Sequence, residues 1–169
     1  SEEKDNIPPN PLTEIILTVN GQALDLRPLS GIINELLGGT KQNRIFVGGD
    51  YSLKAILEEI KIIIKEMDMG LEPIIVDECA KIDAFIEDPR LKSFLILEQC
   101  NRAIIDVSHP RGQYMEIEHI LSMPQQDRIN MKIISQNKSS VSGMLKSCEP
   151  QVYSSMAELK EMIREWLQN

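Results

Sequence analysis

Aromatic side chains are scarce in this chain, at 4% of 169 residues. Any core must therefore be built from Ile, Leu, Val and Met. Cysteines number three, at Cys79, Cys100 and Cys148. An odd count at wide spacing speaks against a disulfide framework or a CxxC metal site, and a reducing cytoplasm is the expected compartment. Positive charge is in deficit, with 18 Lys and Arg against 26 Asp and Glu and a net charge of −8. That balance disfavours a nucleic-acid groove and a lipid surface. A small nucleotide remains compatible, because it needs only a few backbone amides and one or two cations. No apolar run is long enough to span a membrane, and the acidic start "SEEKDN" does not read as a signal peptide. Also missing are GxGxxG, the P-loop pattern, HExxH and GxSxG, so a dinucleotide fingerprint, a phosphate-cradling Walker loop, a zincin site and a serine-hydrolase elbow are not expected. Neither a metal nor a cofactor is assigned.

What is present is a regular rhythm. Residues 1–11, "SEEKDNIPPNP", hold three prolines and read as a flexible leader. Residues 12–40 read as an appendage. In it, "TEIILTVNGQALDL" centres on Asn20-Gly21, a type I′ hairpin signal, and "PLSGIINELLGG" reads as a short helix ending at Gly38-Gly39. This unit is too small to fold alone and is expected to pack on the main domain or to be the tail of an upstream one.

Residues 41–169 alternate strand and helix five times. The strands are "NRIFVGGD", "EPIIVDE", "NRAIIDVS", "NMKIISQ" and the edge-like "PQVYSS". Between them lie a helix in "SLKAILEEIKIIIKEMDMG", a helical stretch in "IDAFIEDPRLKSFLILEQ" broken near Asp88-Pro89, a helix in "GQYMEIEHILSM" and a weak short helix in "SVSGMLKS". The last helix, "SMAELKEMIREWLQ", opens with a Ser155/Glu158 capping box. Short strands apolar on both faces imply a mostly parallel sheet covered by helices on both sides. The predicted fold is α/β: a flavodoxin-like three-layer sandwich with a five-stranded, mostly parallel sheet in order 2-1-3-4-5, plus the N-terminal β-hairpin and short helix.

Ligands of such sheets bind beyond the carboxyl ends of the strands, where the strand order reverses. The loops that meet there are "VGGDYS" and "DVSHPRGQYMEIE". Gly48 and Gly49 allow a close backbone approach or positive φ, and Asp50 or Ser52 would cap the following helix or touch a ligand. Asp106 ends the third strand, with Ser108 beside it. Glu116 lies in the first turn of the next helix, where the anion is favoured. Arg111 is placed to meet a phosphate or an acid, and Tyr114 to stack on a base. His109 and His119 read as an ordinary loop histidine and a half-exposed helix histidine. A phosphoacceptor domain is disfavoured, because "VGGD" has one acid and "QVYSS" no lysine.

The segments Ile45 to Ser52, Gly70 to Val76 and Ala103 to Ser108, followed by Tyr114-Met115-Glu116, resemble the TIR-like and nucleoside 2-deoxyribosyltransferase-like superfamily over roughly residues 43–169. The resemblance implies a flavodoxin-like fold and N-glycosidic chemistry. Glu116 would then attack or stabilise C1′ of a ribose, and Asp106 would hold the sugar or the frame of the site. The implied ligand is NAD or a related nucleotide or nucleoside, with a homo-oligomer through the α/β domain as a second kind of partner. The family commonly carries Gly two positions after this Glu, whereas this chain has Glu118. A second acid there would raise the proton affinity of Glu116 or block the site. The N-glycosidic reading as a whole depends on Asp106 and Glu116 converging on one sugar-sized hollow beside the glycines. The alternative is a non-catalytic nucleotide-sensing or homotypic interaction module.

Overall fold

The protein was analysed as a computed structural model that describes residues 18–19, 22–23, 26–109, 112–136 and 149–169. Strands β1 (Thr18–Val19) and β2 (Gln22–Ala23) pair antiparallel, as the hairpin signal predicts. The Asn20-Gly21 turn itself, the leader and the helix expected in "SVSGMLKS" lie outside the described residues. Helix α1 (Arg27–Leu37) follows, and Gly38 closes it with φ of 70°.

The main unit contains β3 (Arg44–Gly48), α2 (Lys54–Glu66), β4 (Glu72–Ile74), α3 (Pro89–Glu98), β5 (Arg102–Asp106), α4 (Gln113–Ser122), β6 (Asn130–Ser135), β7 (Gln151–Val152) and α5 (Met156–Gln168). The five strands β3 to β7 form one sheet in order β4-β3-β5-β6-β7, and every neighbouring pair is parallel. This is the flavodoxin-like order, 2-1-3-4-5 within the unit, and the edge strand β7 is parallel to its neighbour.

Alternation along the strands divides the core into two layers. Phe46, Ala103, Ile105 and Ile133 face one side, which α3 and α4 cover. Ile45, Val47, Ile104 and Ile134 face the other, under α2 and α5. Helix α2 buries Leu57, Ile60, Ile63 and Ile64, and α5 buries Leu159, Met162, Ile163 and Leu167.

Several local details depart from the sequence expectation. Strand β4 ends at Ile74, and Val76–Glu78, expected to continue it, forms a 3-10 turn; a second 3-10 turn at Ala80–Ala84 stands where the helical stretch was expected to begin. Asp88 then starts α3 by accepting from the amides of Arg90 and Leu91, with Pro89 at a first-turn position where its missing N–H costs nothing. Neither Asp50 nor Ser52 caps α2. The N-cap is Leu53 without a side-chain bond, and Asp50 instead accepts from the amide and hydroxyl of Ser52 within the loop. At α5, Ser155 accepts from the Glu158 amide as expected, but the Glu158 carboxylate accepts from the amide and hydroxyl of Ser154 instead of from the Ser155 amide.

Helix α3 is buried from Lys92 to Leu97 without a break. A helix apolar all round needs cover on both sides. The sheet supplies one side, and α1 supplies the other through Leu26, Ile33 and the partly buried Leu29 and Leu37. The appendage therefore completes the core of the main unit. Arg44, 1% exposed, fastens it there. Its guanidinium donates to the carbonyls of Asn34, Gly38 and Gln99 and to Asn34 Oδ1, at 2.7–3.0 Å. Those carbonyls at the end of α1 have no helical amide to accept from. Arg44→Lys keeps the charge but not the planar fork. It is expected to cost about 3 kcal/mol in urea unfolding, because several buried carbonyls lose their donors.

Candidate functional site

The strand order reverses between β3 and β5, and the loops after both strands meet there. Gly48 and Gly49 sit at that point, and neither has positive φ. What they provide is close approach, and each serves a different face of the sheet. A methyl group at Gly48 would lie 2.9 Å from the Phe46 ring and 3.0 Å from Glu116 Oε2. One at Gly49 would lie 2.8 Å from Leu57 Cδ2 and 3.5 Å from Asp106 Cβ.

Glu116 is drawn inward by the apolar residues around it on α4, where Ile117 and Ile120 are also buried. Its side chain packs over Gly48, and the residue is 7% exposed. Oε1 accepts a 2.6 Å hydrogen bond from the Ser93 hydroxyl on α3. Oε2 is buried and has no hydrogen-bond partner. Burial pushes the carboxyl up to about 7 from the ordinary 4.5, against the opposing pull of the Ser93 bond. Glu118 is exposed on α4 and contributes nothing to that rise, so the expectation that it tunes Glu116 is not met.

Among the described residues, the Tyr51 hydroxyl is the second buried side-chain polar atom without a partner. Tyr51 follows the glycines in the loop after β3. Burial, and then the fields of Glu116, Asp77 and Cys79, hold its pKa well above the ordinary tyrosine value.

Asp106 does not join this group. It shares the face of Ile104, under α2 and α5, because successive strand residues point to opposite sides. Its Oδ2 accepts from the Tyr153 hydroxyl at 2.6 Å, and its Oδ1 accepts from the Ser108 amide at 2.8 Å. The Ser108 hydroxyl in turn accepts from the Gln136 amide at 2.7 Å. This network ties together the ends of β5, β6 and β7. Among the described residues, a hollow at this face lined by Asp106, Ser108, Asp50 and His109 has a volume of about 30 Å³. That is room for about one water and not for a ribose. The expected convergence of Asp106 and Glu116 on a shared sugar-sized hollow is thus corrected: the acids lie on opposite faces of the sheet.

The remaining expectations divide similarly. Ser52 is exposed and bonded to Asp50. Tyr114 is half-buried against the α3–α4 core layer. Arg111 lies outside the described residues. His109 is exposed, as read, whereas His119 is buried, stacked on Phe94 at 4.7 Å and paired with Glu98 at 3.0 Å. Gln113, unmarked in the sequence, is buried and donates to the carbonyls of His109 and Asp106, which closes the loop before α4. Among the described residues no group of three or more His, Cys, Asp or Glu is gathered to hold a metal ion. No helix among them is long and apolar enough to cross a membrane.

Compared with models of known protein families and with curated protein sequences, the chain matches none.

The Glu116 carboxyl carries a pH signature of its own. Its folded pKa lies above its unfolded value, so its contribution to stability is fully present below about 4.5 and is lost as pH rises through about 7. At about 1.36 kcal/mol per pKa unit the swing is roughly 3 kcal/mol. Glu116→Gln removes it. Relative to wild type the variant should gain stability by about that amount between pH 4.5 and pH 8, measured by urea unfolding at each pH.

Proposed function

We propose that the protein cleaves the N-glycosidic bond of a nucleoside or nucleotide, NAD among the candidates, with Glu116 as the acting residue. The observation that carries this proposal is a buried carboxyl, unpartnered at Oε2, at the strand-order reversal and holding its proton near neutral pH. A carboxyl with such a pKa can serve in either of two states. Protonated, it gives its proton to a neutral base as the bond from C1′ to nitrogen breaks. Ionised, it stabilises the oxocarbenium-like carbon that remains; water then adds to that carbon and gives its extra proton to the Glu116 carboxylate, forming the C1′ hydroxyl. Ser93 holds the carboxyl in place by one oxygen and leaves the other for the reacting group. The convergence of Asp106 with Glu116 that this chemistry was expected to need is not met, so the proposal rests on Glu116 alone, and Asp106 serves to hold the loops. The resemblance to the TIR-like and deoxyribosyltransferase-like superfamily supports the same assignment.

One observation favours the alternative of a nucleotide-sensing module: at 7% exposed, Glu116 is closely covered by the protein around it. Binding without turnover follows if the cover does not open.

The test is release of free base from NAD, ribonucleosides and deoxynucleosides, followed by chromatography from pH 5.5 to 9. Base should be released from at least one substrate, with a pH midpoint near 7. Release from a neutral nucleobase should fall above that midpoint, because the leaving base needs the proton. Release of nicotinamide should rise through it, because that base departs without one. Glu116→Gln should lower the rate at least about 100-fold. No free base from any substrate, with the fold intact, overturns catalysis. Binding measured by calorimetry under the same conditions then supports the sensing module.

A further inference from the structure

Strand β4 is one edge of the sheet, and a groove lies between it and α1. Among the described residues, Leu36 and Leu37 at the end of α1, Pro73 to Ile75 on and after β4, and Ile82 line a hollow of about 440 Å³. That volume is in the range of ligand pockets and takes several apolar side chains at once. Apolar surface continues at its rim. Ile32, exposed, lies one turn before Leu36 on the same face of α1. Phe85, also exposed, ends the Ala80–Ala84 turn, which packs beside α1. Apolar surface gathered in this way marks an interaction site.

Charge and backbone geometry restrict the occupant. The stretch from Glu72 to Asp83, which forms one wall, carries Glu72, Asp77, Glu78 and Asp83, and Glu35 stands beside Leu36 on α1, all exposed. Lys81 is the one cation of that stretch, while Lys61 and Lys92 reach it from α2 and α3 to pair with Glu78 and Asp83. The rim keeps an excess of negative charge, which attracts a cationic partner. The strand edge itself is closed to an added strand. The Arg44 carbonyl faces β5, where it accepts from the Asn101 amide, so Ile45 faces β4. Glu72 and Ile74 then bond Ile45, and Pro73 points outward without an N–H. A helix, which satisfies its own backbone, suits the groove instead.

We propose that the groove between α1 and β4 docks a basic amphipathic helix of a partner protein, its apolar side chains seated in the groove and its lysines or arginines over the acidic rim. Covering Leu36 and the groove floor supplies most of the gain, while the rim charges steer the encounter and select the sign of the partner. The groove requires nothing of the Glu116 carboxyl, so it stands or falls apart from the N-glycoside reading.

The test uses the whole chain and a fluorescent peptide of about 14 residues made of Leu and Lys, with leucines at helical spacing. Its scrambled sequence, equal in charge, and a Leu/Glu version serve as controls. By fluorescence anisotropy the Leu/Lys helix should bind roughly tenfold or more tightly than either control. Leu36→Asp makes the protein more negative, yet it should weaken binding roughly tenfold or more, because a charge then stands in the groove. Ile62→Asp, at an exposed apolar residue of α2, should leave the affinity unchanged. In wild type the amide NMR shifts caused by the peptide should centre on Leu36, Ile74 and Ile82, a readout that needs no variant to fold. No binding, equal affinity for the scrambled peptide, unchanged affinity in Leu36→Asp, or shifts centred elsewhere overturns the groove as a helix site. Equal affinity for the Leu/Glu helix overturns the basic partner. A free chain that is dimeric by light scattering and becomes monomeric in Leu36→Asp assigns the groove to a second copy and also overturns the proposal.

Discussion

Glu116 occupies its position because residue 48 has no side chain. The carboxyl packs over the Gly48 backbone at the strand-order reversal, with one oxygen on Ser93 and the other unpaired. A larger residue at position 48 would have to displace either the Phe46 ring or the acid itself. From this single close approach follow the burial of the carboxyl, its hold on a proton near neutral pH and its place in the crevice where α/β sheets bind ligands. Among the described residues the Tyr51 hydroxyl, in the loop after β3, is the other buried side-chain oxygen without a partner.

Two polar arrangements hold this site rigid from either side. Arg44 anchors the end of α1 against α3, and α3 carries Ser93. The Asp106–Tyr153–Ser108 network fixes the loops on the opposite face. Both arrangements lie away from the Glu116 oxygen that remains free. The separation is physically sensible, since a fully hydrogen-bonded network specifies structure, while an unsatisfied group is available to a ligand.

The strand order and the layer arrangement were legible in the sequence because they rest on periodicity and on the rules for parallel crossovers. Gly48-Gly49 and Glu116 were legible as a strand-end turn and a first-turn acid. The facing of Asp106 was half legible. Alternation along "AIID" puts Asp106 with Ile104 and not Ile105, but nothing in one sequence says which face α4 covers. Ser93 was hidden inside the apolar run "SFLIL", where a single hydroxyl looks incidental. Its later value depends on the crossing of α3 and α4, which no local pattern encodes. Tyr51 had one available signal, as the only aromatic residue in the loop after β3. Packing of the appendage on the main unit was among the readings its small size allowed, but Arg44 and the all-round burial of α3 were not legible, because which elements cover a helix is a tertiary fact.

The most direct test of this account is the titration of the Glu116 side-chain carboxyl itself, followed by ¹³C NMR on labelled protein and assigned by the resonance missing from Glu116→Gln. The account predicts a midpoint near 7. A midpoint in the ordinary carboxylate range, near about 4.3, would show that the oxygen over Gly48 is solvated or paired. The catalytic assignment would then lose its physical basis.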